Sequence, residues 1–197
     1  MDGDYWQTRT RLDGASAQWG VISEVMRRGF NVALPVVDSG DDFYVMRDRG
    51  GIYARVQVKS RKASWSVPRS SLRADFRVPV RQLRRPHHPE LLYVFALRDE
   101  EGRSIGASVP TMTNFGTMSM SLGISAPVHY LLMTRRQLLR YLEGNPHVKW
   151  RGEEVSMGVK VTADSVTGGG KDMTRHWNAF GRYFRRGPLS RVERMAA

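Results

Sequence analysis

The sequence predicts a mixed α/β (α+β) domain in which helices flank a central β-sheet, with helix, strand, strand and strand as its opening order. Three observations predict this class. Residues 14–29 have helical spacing of apolar side chains, and three β-type segments follow at 30–37, 43–46 and 52–60. Residues 91–97 then form an unbroken apolar run, which is typical of a central strand buried on both faces.

The first helix is predicted from one apolar stripe and a stop signal. Ala17, Val21 and Val25 recur at helical spacing, and Ile22 lies beside them. Gly29 follows two arginines, which is a typical helix C-terminus. We therefore expect this helix to pack one face on the sheet and to end at Gly29.

Turn signals separate the three strands. Residues 38–41 and 48–51 are rich in Asp and Gly, so they predict tight turns between the β-type segments. Alternation along the third strand divides its side chains between two faces. Ile52, Ala54, Val56 and Val58 share the first face, and Tyr53, Arg55, Gln57 and Lys59 share the second.

The middle of the chain predicts shorter elements. We expect a loop over 64–72, a short strand over 76–80, a hairpin partner for the central strand over 103–109 and another strand over 130–133. Thr134 and Gln137 have the spacing of a capping box before a short helix that carries three leucines.

The C-terminal part is predicted as a separate unit. Residues 1–167 form the main domain, with its core motif in 14–60, and the glycines at 168–170 indicate a linker. Met173, Trp177, Phe180 and Phe184 then predict an amphipathic helix over 171–186. Residues 187–197 are expected to be a flexible tail.

Composition narrows the function classes. Lys and Arg number 31 against 19 Asp and Glu, giving a net charge of +12, which favours a polyanionic partner such as nucleic acid. The alternative is that a GC-rich genome enriches arginine throughout. The chain has no cysteine, which excludes disulfides and cysteine-based zinc sites. It lacks an apolar run of ~18 residues and a signal-like start, so we expect a cytoplasmic protein without a membrane partner.

Three polar side chains of the predicted hairpin carry the chemistry. A hairpin closed around Arg49 and Gly50 places Asp42 opposite Gln57, and Lys59 shares their face. Opposed Cβ atoms lie about 4.5–5.5 Å apart, close enough to share one ion. Mg²⁺ takes oxygen ligands from one or two carboxylates and from phosphate, and a lysine can neutralise that phosphate or hold the attacking water. These side chains are suited to hydrolysing a phosphodiester.

The same residues in this order carry a family resemblance. An amphipathic helix ending in Gly, then Asp42, then Gln57-Val58-Lys59 and a later apolar strand resemble the PD-(D/E)XK nuclease superfamily. The Gln-x-Lys pattern is similar to the branch found among intron-encoded endonucleases and resolvase-like proteins, and the match covers roughly residues 14–60. This resemblance implies a mixed sheet flanked by helices and Mg²⁺-dependent cleavage of DNA, with Mn²⁺ as a substitute. It also implies a duplex or branched substrate and a homodimer.

The resemblance assigns a role to each residue of the motif. It implies that Asp42 binds the metal, that Gln57 occupies the second acidic position as a metal ligand, and that Lys59 is the catalytic lysine. Gln18 stands where the helix of the family carries Glu, and would orient Lys59 or a metal-bound water. Asp42 is then the sole motif carboxylate, unless Asp38 or Asp41 helps.

Each of these residues also has a structural interpretation. Asp42 would cap a turn, Gln57 and Lys59 would form the solvent face of an edge strand, and Gln18 would be a buried glutamine bonded to backbone. His87 and His88 stand between two prolines, which is more typical of an exposed loop than of a metal ligand or general base.

Nucleic-acid contacts are expected from basic residues near aromatics, a pattern that suits backbone tracking and base stacking. The predicted contacts are Arg61, Lys62, Trp65 and Arg69 after the third strand, and Arg175, Arg182 and Arg186 on the C-terminal helix. The sequence thus predicts a Mg²⁺-dependent DNA endonuclease with a structure-specific, resolvase-like substrate. The alternatives are a catalytically degenerate nuclease fold that only binds nucleic acid, and a basic structural or assembly protein.

Overall fold

A computed structural model describes residues 3–37, 40–46, 51–66, 71–99 and 128–184, with side chains from Leu12 onward. Within these residues the chain forms two β-sheets and four α-helices. The predicted mixed α/β class is confirmed at this level.

The first sheet follows the predicted opening order. Helix α1 (Gly3–Arg27) precedes strands β1 (Asn31–Ala33), β2 (Phe43–Met46) and β3 (Ile52–Lys62), which pair as an antiparallel meander. Strand β6 (Leu91–Arg98) pairs parallel with β3, and β7 (Val128–Thr134) pairs antiparallel with β6. The strand order is β1-β2-β3-β6-β7, so β6 and β3 are interior strands.

The second sheet is built mostly from later parts of the chain. Its strands are β4 (Ser64–Trp65), β5 (Leu72–Pro79), β8 (Lys149–Arg151), β9 (Glu154–Val161), β10 (Val166–Gly168) and β11 (Lys171–Asp172). They run in the order β11-β10-β9-β5-β4, and β8 also pairs with β9. The remaining helices are α2 (Val80–Arg84), α3 (Arg135–Leu142) and α4 (Phe180–Tyr183), with a 3-10 turn at Thr174–His176.

Strand β6 separates two hydrophobic clusters, as its unbroken apolar run predicts. Leu92, Val94 and Ala96 pack in one cluster with the apolar stripe of α1. Leu91, Tyr93, Phe95 and Leu97 pack in the other, between the first sheet and strands β5 and β9 of the second. Burying a large apolar side chain contributes about 1.5–3 kcal/mol, so both faces of β6 stabilise the fold. The domain therefore has three layers: α1, the first sheet and the second sheet.

Two local predictions about helix ends are confirmed. The chain leaves α1 at Gly29, whose φ of 82° lies in the left-handed region that glycine adopts without strain. The Thr134 hydroxyl accepts from the Gln137 backbone N–H at 3.2 Å, and the Gln137 side chain accepts from the Thr134 N–H at 2.9 Å. This capping box begins α3, the predicted short helix.

Strand lengths differ from the predictions in three places. The predicted strand over 30–37 is limited to Asn31–Ala33, and Val36 and Val37 are exposed. The predicted loop over 64–72 contains β4, and the short strand at 76–80 is the longer β5. Arginines and Asp75 alternate with buried residues along β5, so its period of two extends to Leu72. The segment 103–109 lies outside the described residues, and β7 pairs with β6.

The predicted linker at 168–170 is wrong. Gly168 belongs to β10, which pairs with β9, and Gly169 and Gly170 form the turn to β11 with positive φ angles of 46° and 80°. A Cβ on Gly168 would lie 2.7 Å from the Met173 sulfur, so this glycine lets the Met173 side chain pack directly against the strand. The segment is therefore part of the second sheet and not a boundary between units.

The predicted amphipathic helix over 171–186 is also wrong in the described part of that range. Met173 packs between the sheets, whereas Phe180 and Phe184 pack in the α1 cluster, so these apolar residues serve two different cores. Met173 lies between β11 and the 3-10 turn, Phe180 begins the four-residue α4, and Phe184 follows it. Arg186 and the predicted tail at 187–197 lie outside the described residues.

Candidate functional site

The register of the β2–β3 hairpin confirms the predicted pairing. Phe43 pairs with Val56 and Val45 with Ala54, the register that carries Asp42 next to Gln57. Met46 pairs with Ile52, which leaves Tyr53 as an extra residue in a β-bulge. Tyr53 therefore leaves the predicted polar face: its ring packs 5.3 Å from that of Phe30, and its hydroxyl donates to the Tyr183 carbonyl at 3.0 Å.

Asp42 lies immediately before β2, beside the part of β3 that extends past the end of β2. Its N–H donates to the Val56 carbonyl at 2.8 Å, which continues the ladder by one bond. Its Oδ2 accepts from the Val58 N–H at 2.6 Å and from Gln57 Nε2 at 2.8 Å. The Val58 N–H lies beyond the residues of β3 that pair with β2, and the Asp42 carboxylate accepts its hydrogen bond instead. Two donors therefore fix the position of this carboxylate.

Gln57 is held from its other end by a residue that sequence reasoning missed. Gln82 on α2 donates from Nε2 to Gln57 Oε1 at 2.8 Å and also to the Gly40 carbonyl. Its own Oε1 accepts from the Tyr93 hydroxyl at 3.0 Å. Burial raises the pKa of Tyr93 above its usual range, so this phenol remains a donor. The resulting relay Tyr93–Gln82–Gln57–Asp42 orients the Gln57 amide with its nitrogen toward the carboxylate.

These side chains open onto a cleft of about 440 Å³ between β3 and the β5–α2 segment. Its lining residues are Gly40, Asp42, Gln57, Lys59, Pro79, Arg81, Gln82, Arg85 and His87. The structure thus brings Asp42, Gln57 and Lys59 together, as the sequence predicts. Because Lys59, Arg81 and Arg85 outnumber the single carboxylate of the lining, the cleft attracts anions.

Gln18 takes the backbone-bonded position of its structural interpretation. Its Nε2 donates to the Asp42 carbonyl oxygen at 3.0 Å, and the residue is not part of the cleft lining. This bond ties α1 to the residue that carries the carboxylate. Gln18 therefore contacts the backbone of Asp42 from outside the cleft.

The carboxylate of the neighbouring Asp41 is paired with side chains outside the cleft lining. Its carboxylate is buried, forms an ion pair with Arg55 and accepts from the Tyr44 hydroxyl at 3.2 Å. A carboxylate already paired with a guanidinium is a poor second ligand for a cation in the cleft. Asp38, the other acidic residue considered, lies outside the described residues.

His87 departs from the exposed-loop interpretation, whereas His88 is exposed as expected. The His87 ring is buried and lines the cleft, and its Nε2 has no hydrogen-bond partner among the described residues. Burial, followed by the nearby Arg55 guanidinium, lowers the pKa of His87. This imidazole is therefore neutral at physiological pH.

The nucleic-acid contacts predicted near the end of β3 lie in different environments. Arg61 lines a second concavity that shares Lys59 with the first, and Lys62 is exposed at the end of β3. The Trp65 indole donates from Nε1 to Oδ1 of the buried Asp99 at 3.2 Å and packs against the core between the sheets. Trp65 is thus half-buried and structural, and Arg69 lies outside the described residues.

The predicted C-terminal contacts do not extend the cleft. Arg175 donates from Nε to His176 Nε2 at 3.1 Å, and Arg182 is exposed on α4. Phe180 on α4 and Phe184 after it pack in the α1 cluster. This cluster lies on the face of the first sheet opposite to Gln57 and Lys59. Neither arginine lines either concavity.

The cleft offers few oxygen ligands for a hard cation such as Mg²⁺. Asp42 supplies one fixed carboxylate at the cleft, which is within the range of one or two that Mg²⁺ takes beside phosphate and water. Gln57 turns its nitrogen to that carboxylate, and its oxygen accepts from Gln82. No group of three His, Cys, Asp or Glu able to hold a metal occurs in the part of the chain that the structure describes.

Comparisons of the chain with protein-family models, curated proteins and solved structures give no match. Among the described helices, none combines the length and apolar character needed to cross a bilayer.

Proposed function

We propose that the cleft binds nucleic acid and hydrolyses its phosphodiester bonds with Mg²⁺, as a PD-(D/E)XK-like endonuclease of the Gln-x-Lys kind. One observation carries the proposal: Asp42, Gln57 and Lys59 converge on a cleft that also presents Arg81 and Arg85. The first sheet supports it, since helix α1 precedes the hairpin that holds Asp42 and Gln57 and the apolar strand β6 follows it, as the resemblance implies.

Each side chain of the cleft has a role in the proposed reaction. Asp42 and Gln57 would hold the ion, with Gln57 rotating its amide to present oxygen. Bound Mg²⁺ would polarise the phosphoryl oxygen and lower the pKa of water. Lys59 neutralises the phosphate under attack, and Arg81 and Arg85 bind the same anionic backbone. Water would add to phosphorus as the bond to the leaving sugar oxygen breaks, and the proton that the water loses would reach that oxygen through solvent.

A second candidate function is binding without cleavage, because the Gln57 amide donates to Asp42 where the resemblance leads one to expect a second carboxylate. One carboxylate instead of two weakens the hold on a divalent ion. A non-catalytic protein would bind DNA in EDTA and leave it intact with Mg²⁺ or Mn²⁺.

Incubation with linear duplex, single-stranded and four-way-junction DNA, with Mn²⁺ or EDTA, separates these functions. The nuclease proposal predicts metal-dependent cleavage that Asp42→Asn abolishes, since the amide can still accept from the Val58 N–H and keep the fold. Cleavage by Asp42→Asn at the wild-type rate would reject this site. Binding without cleavage would favour the second candidate, and no binding would leave a basic structural or assembly protein.

A further inference from the structure

The cleft continues along β3 as a second concavity of about 290 Å³. The two concavities share Lys59 and Pro79, so they form one groove between β3 and β5–α2. Beyond these shared residues, the lining of the second concavity includes Arg61, Arg77 and Glu154. Lys59 therefore lies near the middle of the groove and not at its end.

Cationic side chains follow the groove on both sides of Lys59. Arg81 and Arg85 line one end, and Arg61 and Arg77 line the other. Side chains on one face of a strand lie about 6.6 Å apart, so Lys59 and Arg61 are spaced along the groove and do not form one compact pocket. A row of separated cations suits a linear polyanion better than a single phosphate ion.

The acidic residue in the second concavity does not neutralise this row. Arg77 and Glu154 form an ion pair at 3.8 Å, with the two side chains 61% and 51% exposed. Exposed pairs of this kind contribute only about 0–1 kcal/mol and are screened by salt. Arg77 can therefore exchange this carboxylate for a phosphate at little cost.

The size of the groove favours a single nucleic-acid strand over a duplex. Its larger part, about 440 Å³, is in the range of small-ligand sites, and Gln57 at its floor is only 6% exposed. A duplex is wider than its own major groove, which is about 12 Å across, so it would contact the rim of a concavity of this size and not its floor. A phosphate reaches Asp42 and Lys59 most directly from a single strand.

We propose that the groove is a track for one nucleic-acid strand lying along β3, with phosphates bound by Arg81 and Arg85 on one side of Lys59 and by Arg61 and Arg77 on the other. The chemistry at Lys59 rests on the proposed function, whereas strand binding does not. Single-stranded DNA, or the splayed strand of a branched one, is then the substrate class.

Fluorescence anisotropy in EDTA tests the track without hydrolysis, with a labelled 12-nucleotide strand and a hairpin duplex of the same sequence as probes. Arg77→Ala is compared with Arg73→Ala, because both arginines are exposed on β5 and only Arg77 lines the groove. Arg77→Lys keeps the charge and serves as a rescue variant, and unfolding midpoints show that all variants fold.

The strand should bind at least tenfold more tightly than the duplex. Arg77→Ala should weaken strand binding several-fold and reduce the slope of log K against log salt by about 0.7, the contribution of one phosphate contact. Arg73→Ala should change neither quantity, and Arg77→Lys should restore the slope. Equal or tighter duplex binding, or equal effects of Arg73→Ala and Arg77→Ala, would overturn the track. Strand binding without cleavage in Mn²⁺ would reject the hydrolysis alone.

Discussion

Replacing Gln82 by Leu removes the residue that joins Tyr93 to the candidate site. The Gln82 side chain makes three hydrogen bonds: it donates to Gln57 Oε1 and to the Gly40 backbone carbonyl, and it accepts from the Tyr93 hydroxyl. Each such bond contributes about 0.5–1.5 kcal/mol net, and an unpaired buried polar group costs about 1–3 kcal/mol. Because Tyr93 is fully buried, we expect Gln82→Leu to lower the free energy of unfolding by about 2–4 kcal/mol.

Urea denaturation of four proteins measures this loss and its origin: wild type, Gln82→Leu, Tyr93→Phe and the double variant. Tyr93→Phe removes the hydroxyl that Gln82→Leu leaves unpaired, so the double variant should be more stable than the sum of the single effects by about 1 kcal/mol. Arg84→Leu, an exposed position on the same helix, should change stability by less than about 0.5 kcal/mol. Additive effects of the two relay substitutions, or a loss equal to that of Arg84→Leu, would refute the relay.

Substitution at the site, loss of the α3 cap and titration of the buried histidines each have a measurable effect. Gln57→Glu should raise Mn²⁺ affinity in calorimetry by tenfold or more, because it places a second carboxylate beside Asp42; unchanged affinity would contradict the position of the ion. Thr134→Ala should lower the unfolding free energy by about 1 kcal/mol through loss of the α3 cap, and an unchanged urea midpoint would show that the cap does not matter. Stability should fall as pH decreases below 6.5, because burial lowers the pKa values of three histidines and the unfolded state then binds more protons than the folded state. Replacing these histidines with glutamine should make the urea midpoint less dependent on pH between 7.5 and 5.5. An unchanged pH dependence in the variants would assign the effect to other groups. These histidines are His87, His129 and His176.

The β2–β3 hairpin was predictable because local rules determine it. The Asp- and Gly-rich residues 48–51 predict where the chain reverses, and a period of two assigns Gln57 and Lys59 to one face. The convergence of Asp42 with these residues follows from those two facts. Tyr53 departed, because the bulge adds one residue and reverses the alternation before it.

Gln82 and His87 were not predictable, because their roles depend on contacts between distant segments. Gln82 reaches Gln57 across 25 positions, and no local pattern around α2 distinguishes it from other surface glutamines. His87 stands between prolines, a context typical of exposed loops, yet tertiary packing buries it in the cleft. Long-range packing also explains the wrong C-terminal helix, since Met173 and Phe180 reach their separate cores through short irregular elements.

The proposed hydrolysis in the Lys59 cleft can be measured as the rate at which a labelled single strand is cleaved in Mn²⁺. Lys59→Met should reduce that rate by about 10²–10³-fold, the usual effect of removing one charge-stabilising group. Lys160→Met, an exposed lysine on β9 outside the groove, should cleave at the wild-type rate. Equal rates for wild type and Lys59→Met would contradict the assignment.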